Sequence, residues 1–202
     1  MLPGGNLYVP GAEKIIPNIG RLVQAARDHH VFLVASGDAH APDDPEFQVF
    51  PPHCVKGTPG ARIIPQGLTG NYFTIPNEAS FALPSGILDY PQVVLEKQTL
   101  DVFDNPKTGE LLRLIDSAPG SNAGKDVEYI VFGVVTEYCV RCAARGLLER
   151  GCKVSIVEDA IETLRPEEGR HALDELIALG ARLITTDQAV KMAASADMQR
   201  VV

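Results

Sequence analysis

The sequence predicts an α/β protein, a three-layer α/β/α fold on a mostly parallel sheet. Two observations carry this. Short runs that are apolar on both faces alternate with segments whose apolar residues recur at helical spacing. Strands of that kind need cover on both sides, which crossover helices provide in parallel sheets. A third observation bounds the size. The chain has 202 residues, 45% of them hydrophobic, which suits one domain over 1–202 with a full-sized core.

Ile15, Ile16, Ile19, Leu22, Val23 and Ala26 mark one face of a helix over 12–29. A strand follows at 31–35 and another at 93–95. Leu111, Leu112, Leu114 and Ile115 give a helix. The run 127–135 is a strand, and 139–150 is a helix stopped by Gly151. A strand at 154–157, a helix at 167–179 ended by Gly180 and a strand at 182–185 complete the alternation. Asp187 caps a last helix. Residues 65–90 are rich in Gly, Pro and Asn and too long for a plain connection, so they form an excursion near the site or an assembly contact.

Composition narrows the function. Net charge is −8 and no Lys/Arg block could track phosphates, which argues against nucleic acid. No apolar run reaches the roughly eighteen residues a membrane span needs. Residues 1–5 carry no sign of a secretory signal. Cys54, Cys139, Cys142 and Cys152 are too sparse for a disulfide scaffold, which places the chain in a reducing cytoplasm.

In open α/β sheets, ligands bind beyond the carboxyl ends of the strands. Cys139 lies there, between a strand and a helix, where free N–H groups and the helix dipole favour thiolate. Lys97 ends an apolar strand and could steady a thiolate or oxyanion, or simply be solvated. Asp38, His40, Glu46 and His53 fall within sixteen residues. They offer a mixed N/O set for Zn²⁺, Mn²⁺ or Fe²⁺, or an ordinary polar loop. Cys139 and Cys142 could form a redox dithiol, but the pair follows a late strand, and Cys142 suits a small core position better.

Together these residues resemble the isochorismatase-like cysteine hydrolases, with the nicotinamidases nearest. The similarity rests on Gly133-Val-Val-Thr-Glu-Tyr-Cys139-Val-Arg, on Leu95-Glu-Lys97, on Asp38-Ala-His40 with Pro51-Pro-His53-Cys-Val, and on Pro3-Gly-Gly-Asn-Leu7. It implies the isochorismatase-like hydrolase fold and hydrolysis of nicotinamide through a thioester on Cys139, with Lys97 as the cationic partner. It further implies a cis peptide at Val134–Val135, an oxyanion hole from the N–H groups of Val135 and Cys139, and a divalent ion on Asp38, His40, Glu46 and His53. Leu7, Phe50, Phe103 and Tyr138 become the substrate walls, with Phe50 where nicotinamidases usually carry Trp. Another small amide or carbamoyl compound fits the same chemistry, and a homo-oligomer is expected. The family's catalytic aspartate ends a first, central strand that this sequence does not show ahead of its Pro-Gly-Gly loop. The expectation is that the sequence is an incomplete version of a longer chain. A site built from these residues alone would be impaired or rebuilt, with Asp101 or Asp104 as stand-ins or ordinary surface residues, and the strands on either side of the missing one would be left unpaired.

Overall fold

The computed structural model describes residues 1–118 and 127–195. Among these residues six strands run β1 (Leu33–Asp38), β2 (Tyr72–Ile75), β3 (Gln92–Lys97), β4 (Glu128–Val134), β5 (Lys153–Glu162) and β6 (Arg182–Ile184). Between them lie α1 (Ile16–Arg27), α2 (Thr108–Ser117), α3 (Arg141–Glu149) and α4 (Pro166–Ala178), with α5 (Thr186–Ser195) last. Every strand pairing is parallel.

Helices cover both faces, and each face has its own core. Ile19, Leu22 and Val23 of α1 pack with Ala189 and Ala193 of α5 against Leu33, Ile130 and Val157. On the other side Leu111 and Ile115 of α2, Leu147 of α3 and Leu176 of α4 meet Val93, Tyr129, Val131 and Ile156. Consecutive residues 129, 130 and 131 thus feed alternate cores, as a strand covered on both sides requires.

The element boundaries depart from the sequence reading for local reasons. Residues 12–15 form a 3₁₀ turn and α1 starts at Ile16. Pro17 in the first turn has no N–H to donate backward, so it starts the α-helix well and continues one poorly. β1 extends to Asp38 because its register with β3 pairs Asp38 with Lys97. The 65–90 stretch contains β2, which joins β3 as a parallel edge. A π-helical turn, Thr136–Val140, stands between β4 and α3 where α-helix was expected to begin at Cys139. Val134–Val135 is a cis peptide, and Gly133 before it has φ 119°, a conformation that suits only glycine.

The sheet is in two halves, ordered β1-β3-β2 and β4-β5-β6. Among the described residues, no strand pairs with the free edges of β1 and β4. These edges face a common cavity of about 370 Å³. Ile19 and Val23 close it on one side, Leu111, Leu112 and Leu147 on the other.

Candidate active site

Three carboxyl ends converge at the top of this cavity. β1 delivers Asp38, β3 delivers Lys97, and the π turn after β4 delivers Cys139. Lys97 is 2% exposed, a position a lysine holds only with partners. Its Nζ donates to Asp38 Oδ1, to the Thr99 carbonyl at 2.8 Å and to Cys139 Sγ at 3.4 Å.

These neighbours set the charge states. Burial works against the Lys97 ammonium, but Cys139 and Asp38 outweigh it and hold its pKa above the ordinary lysine value. Burial pushes the Cys139 thiol up. Lys97 pulls it back, Asp38 pushes it up further, and the net shift is upward. The surroundings thus favour the thiol more than those of an ordinary cysteine do, with desolvation the largest cause.

Asp101 and Asp104 are occupied elsewhere. Asp101 Oδ1 caps the Phe103 N–H at 2.9 Å, and Asp104 Oδ2 accepts from Thr99 Oγ1 at 2.7 Å. The carboxylate beside Lys97 is Asp38, a residue that sequence reasoning had given to the metal alone. Cys139 and Cys142 are both free thiols.

Next to this trio, ligand atoms of Asp38, His40 and His53 all lie within 4.8 Å of one another. His53 Nδ1 is 2.9 Å from the Pro51 carbonyl, which can only accept, so Nδ1 carries the proton and Nε2 keeps its lone pair. His40 is fully buried and neither ring nitrogen has a hydrogen-bond partner. Its Nδ1 stands 3.1 Å from Asp44 Oδ2, unaligned for a hydrogen bond. Two buried imidazoles with free lone pairs and one carboxylate fit a divalent ion with coordination left over. The fourth expected donor, Glu46, lies outside that group, with Oε1 3.7 Å from His53 Nε2. It belongs to the 3₁₀ turn Pro45–Gln48, whose orientation the Asp44 cap on its N–H fixes.

Leu7, Phe50 and Tyr138 line the cavity with Cys139. Phe50 meets Tyr138 edge-on, ring centroids 6.0 Å apart, and His53 at 6.2 Å. Phe103 also borders the cavity, but its ring is wedged against Gly146 of α3 and lies 3.8 Å beneath the Arg150 guanidinium. Sequence reasoning missed Glu137, a buried carboxylate two residues before Cys139. Its signal was an acid between the apolar pair Val134–Val135 and Cys139–Val140.

The isochorismatase domain family matches residues 83–188, more than half of the chain and inclusive of Lys97 and Cys139. The chain belongs to the isochorismatase family. Among its relatives, the nicotinamidase of Escherichia coli is 23% identical over 214 residues, covering 90% of this chain and 88% of the relative. The nicotinamidase/pyrazinamidase of Mycobacterium tuberculosis is 27% identical over 188 residues, covering 90% of each. Among solved structures, the pyrazinamidase of Pyrococcus horikoshii in complex with zinc superposes with a TM-score of 0.68 at 27% identity. That alignment covers 91% of this chain and 92% of the other.

Proposed function

We propose that this isochorismatase-family hydrolase, which acts on amides, converts nicotinamide to nicotinate and ammonia through a thioester on Cys139. The observation that carries the reading is Lys97 Nζ in contact with both the Asp38 carboxylate and Cys139 Sγ, beside the His40–His53 pair. The nicotinamidase relatives supply the substrate class.

In this reading Cys139 rests as a thiol and gives up its proton to Asp38 as Sγ attacks the amide carbon. Lys97 steadies the sulfur and orients the Asp38 carboxylate. The N–H groups of Val135 and Cys139 hold the oxyanion. Asp38 returns the proton to the departing nitrogen, and ammonia leaves the thioester. Water then adds to the thioester carbon, and cleavage of the C–S bond restores the Cys139 thiol and frees the acid. Leu7, Phe50 and Tyr138 wall the aromatic ring, and Phe50 excludes water by its face.

Asp38, His40 and His53 would hold a divalent ion, Zn²⁺, Mn²⁺ or Fe²⁺, which supplies Lewis-acid binding for the pyridine nitrogen. Asp38 can serve both tasks because its Oδ1 faces Lys97 and its second oxygen is left for the ion. The test is ammonia release from nicotinamide, against a panel of small amides and carbamoyl compounds. Turnover of nicotinamide that vanishes in Cys139→Ala is expected. Undiminished turnover in that variant refutes the mechanism, and preference for another amide refutes the substrate.

A further inference from the structure

Glu137 takes no part in the chemistry above, yet it is only 7% exposed. A buried carboxylate is costly to desolvate unless hydrogen bonds compensate it, and here both oxygens accept. The N–H groups of Leu164 and Arg165 donate to Oε1 at 3.0 and 2.8 Å, and the Thr163 hydroxyl donates to Oε2 at 2.6 Å. Beside it, Thr136 Oγ1 donates to the Glu162 carbonyl at 2.9 Å. The π turn is thus fastened to residues 162–165, the link from β5 to α4. Room for that fastening comes from Gly169 in α4, where a Cβ would come within 2.6 Å of Thr163 Oγ1.

Within the turn, Tyr138 and Val140 both donate to the single Val135 carbonyl, each at 3.1 Å. π-helical geometry supports itself poorly, so outside ties decide where the turn sits. Glu137 is the tie nearest Cys139. We propose that Glu137 is a positioning residue for the nucleophile. It holds the turn Thr136–Val140 against residues 163–165 so that Cys139 Sγ stays at Lys97 and at the substrate carbonyl. This rests on the amide-hydrolase reading of the site.

The experiment compares wild type, Glu137→Ala and Glu137→Gln by steady-state kinetics, melting temperature and the rate at which iodoacetamide alkylates Cys139. The Ala variant is expected to lose kcat by about 100-fold, the scale of an ångström-level misplacement, with KM little changed. Alkylation is expected to depart from the wild-type rate, because a drifting Sγ leaves its contact with Lys97. In the Gln variant the amide oxygen still accepts both N–H groups. Its NH₂ donates to the Thr163 hydroxyl, which turns toward the Arg165 carbonyl 3.1 Å away, and turnover is restored. Wild-type kcat and alkylation in the Ala variant, or a Gln variant as defective as Ala, overturns the proposal. Should the Ala variant not fold, Thr163→Val removes one tie. A reduced kcat at an unchanged melting temperature supports the proposal, and a wild-type kcat overturns it. Alkylation needs no substrate, so a wild type that turns over no amide refutes the function while the alkylation contrast still decides Glu137.

Discussion

Cys139 and Lys97 shift in opposite senses relative to their charged forms, and that pairing makes a pH prediction. A thiol is neutral when protonated, so a raised pKa means less thiolate at a given pH than in an ordinary cysteine. Lys97, also raised, keeps its charge through the same range. Alkylation of Cys139 should therefore be slow at neutral pH and inflect above the range of an ordinary cysteine. Lys97→Met removes the favourable charge, moves the inflection higher still and lowers kcat by about 10²-fold or more. An inflection below that of an ordinary cysteine would contradict the site as described. The metal prediction separates a ligand from its neighbour. His53→Asn should abolish stoichiometric Zn²⁺ binding by elemental analysis, whereas Glu46→Gln should leave it intact because Glu46 stands outside the ligand group. Equal losses in both variants would return Glu46 to the ligand set. The chemistry-bearing types at this site were legible because each sits at a strand's end or in one loop. The contact of Asp38 with Lys97 was not, since it follows from β1 pairing with β3 across fifty-nine positions of chain.

Among the elements, legibility followed cover. Residues 93–95 of β3 and 154–157 of β5, the runs the sequence pattern marks as strands, are buried throughout because both faces are packed. β2 escaped the pattern reading because it lies at an edge, with Tyr72 and Thr74 exposed between Gly70 and Pro76. The π turn escaped it because an i→i+5 bond leaves no periodic mark in five residues. α3 shows how an element is placed by one small residue. A Cβ on Gly146 would lie 2.2 Å from the Phe103 ring, so the helix carrying Cys142 and Leu147 approaches 102–104 only because Gly146 lacks one. Gly146→Ala should cost about 1–3 kcal/mol in chemical denaturation, the usual cost of overpacking. Phe103→Leu should recover part of it in the double variant, with a coupling energy measurable in a thermodynamic cycle. Additive losses would mean that ring and helix are not in contact.

At the scale of the whole molecule, the division of the sheet runs through the site. Asp38 and Lys97 belong to the β1-β3-β2 half and Cys139 follows the β4-β5-β6 half, so the 3.4 Å contact from Lys97 to Cys139 spans the two. No strand among the described residues joins β1 to β4, but side chains of the clusters on the two faces span both halves. Ile19 of α1 is one of these. It lines the cavity, and its cluster contains both Leu33 of β1 and Ile130 of β4. Amide hydrogen exchange should rank β3 and β5, bonded on both sides, as the slowest strands, with β1 and β4 faster because each has an open edge. Ile19→Ala should cost about 2–5 kcal/mol, like other large-to-small core changes. It should also lower kcat, although Ile19 touches neither Lys97 nor Cys139 among their described hydrogen bonds, because a looser cavity lets the nucleophile drift from its cation. Loss of stability with kcat untouched, measured well below the melting temperature, would show that the contact between the halves holds without the cavity wall.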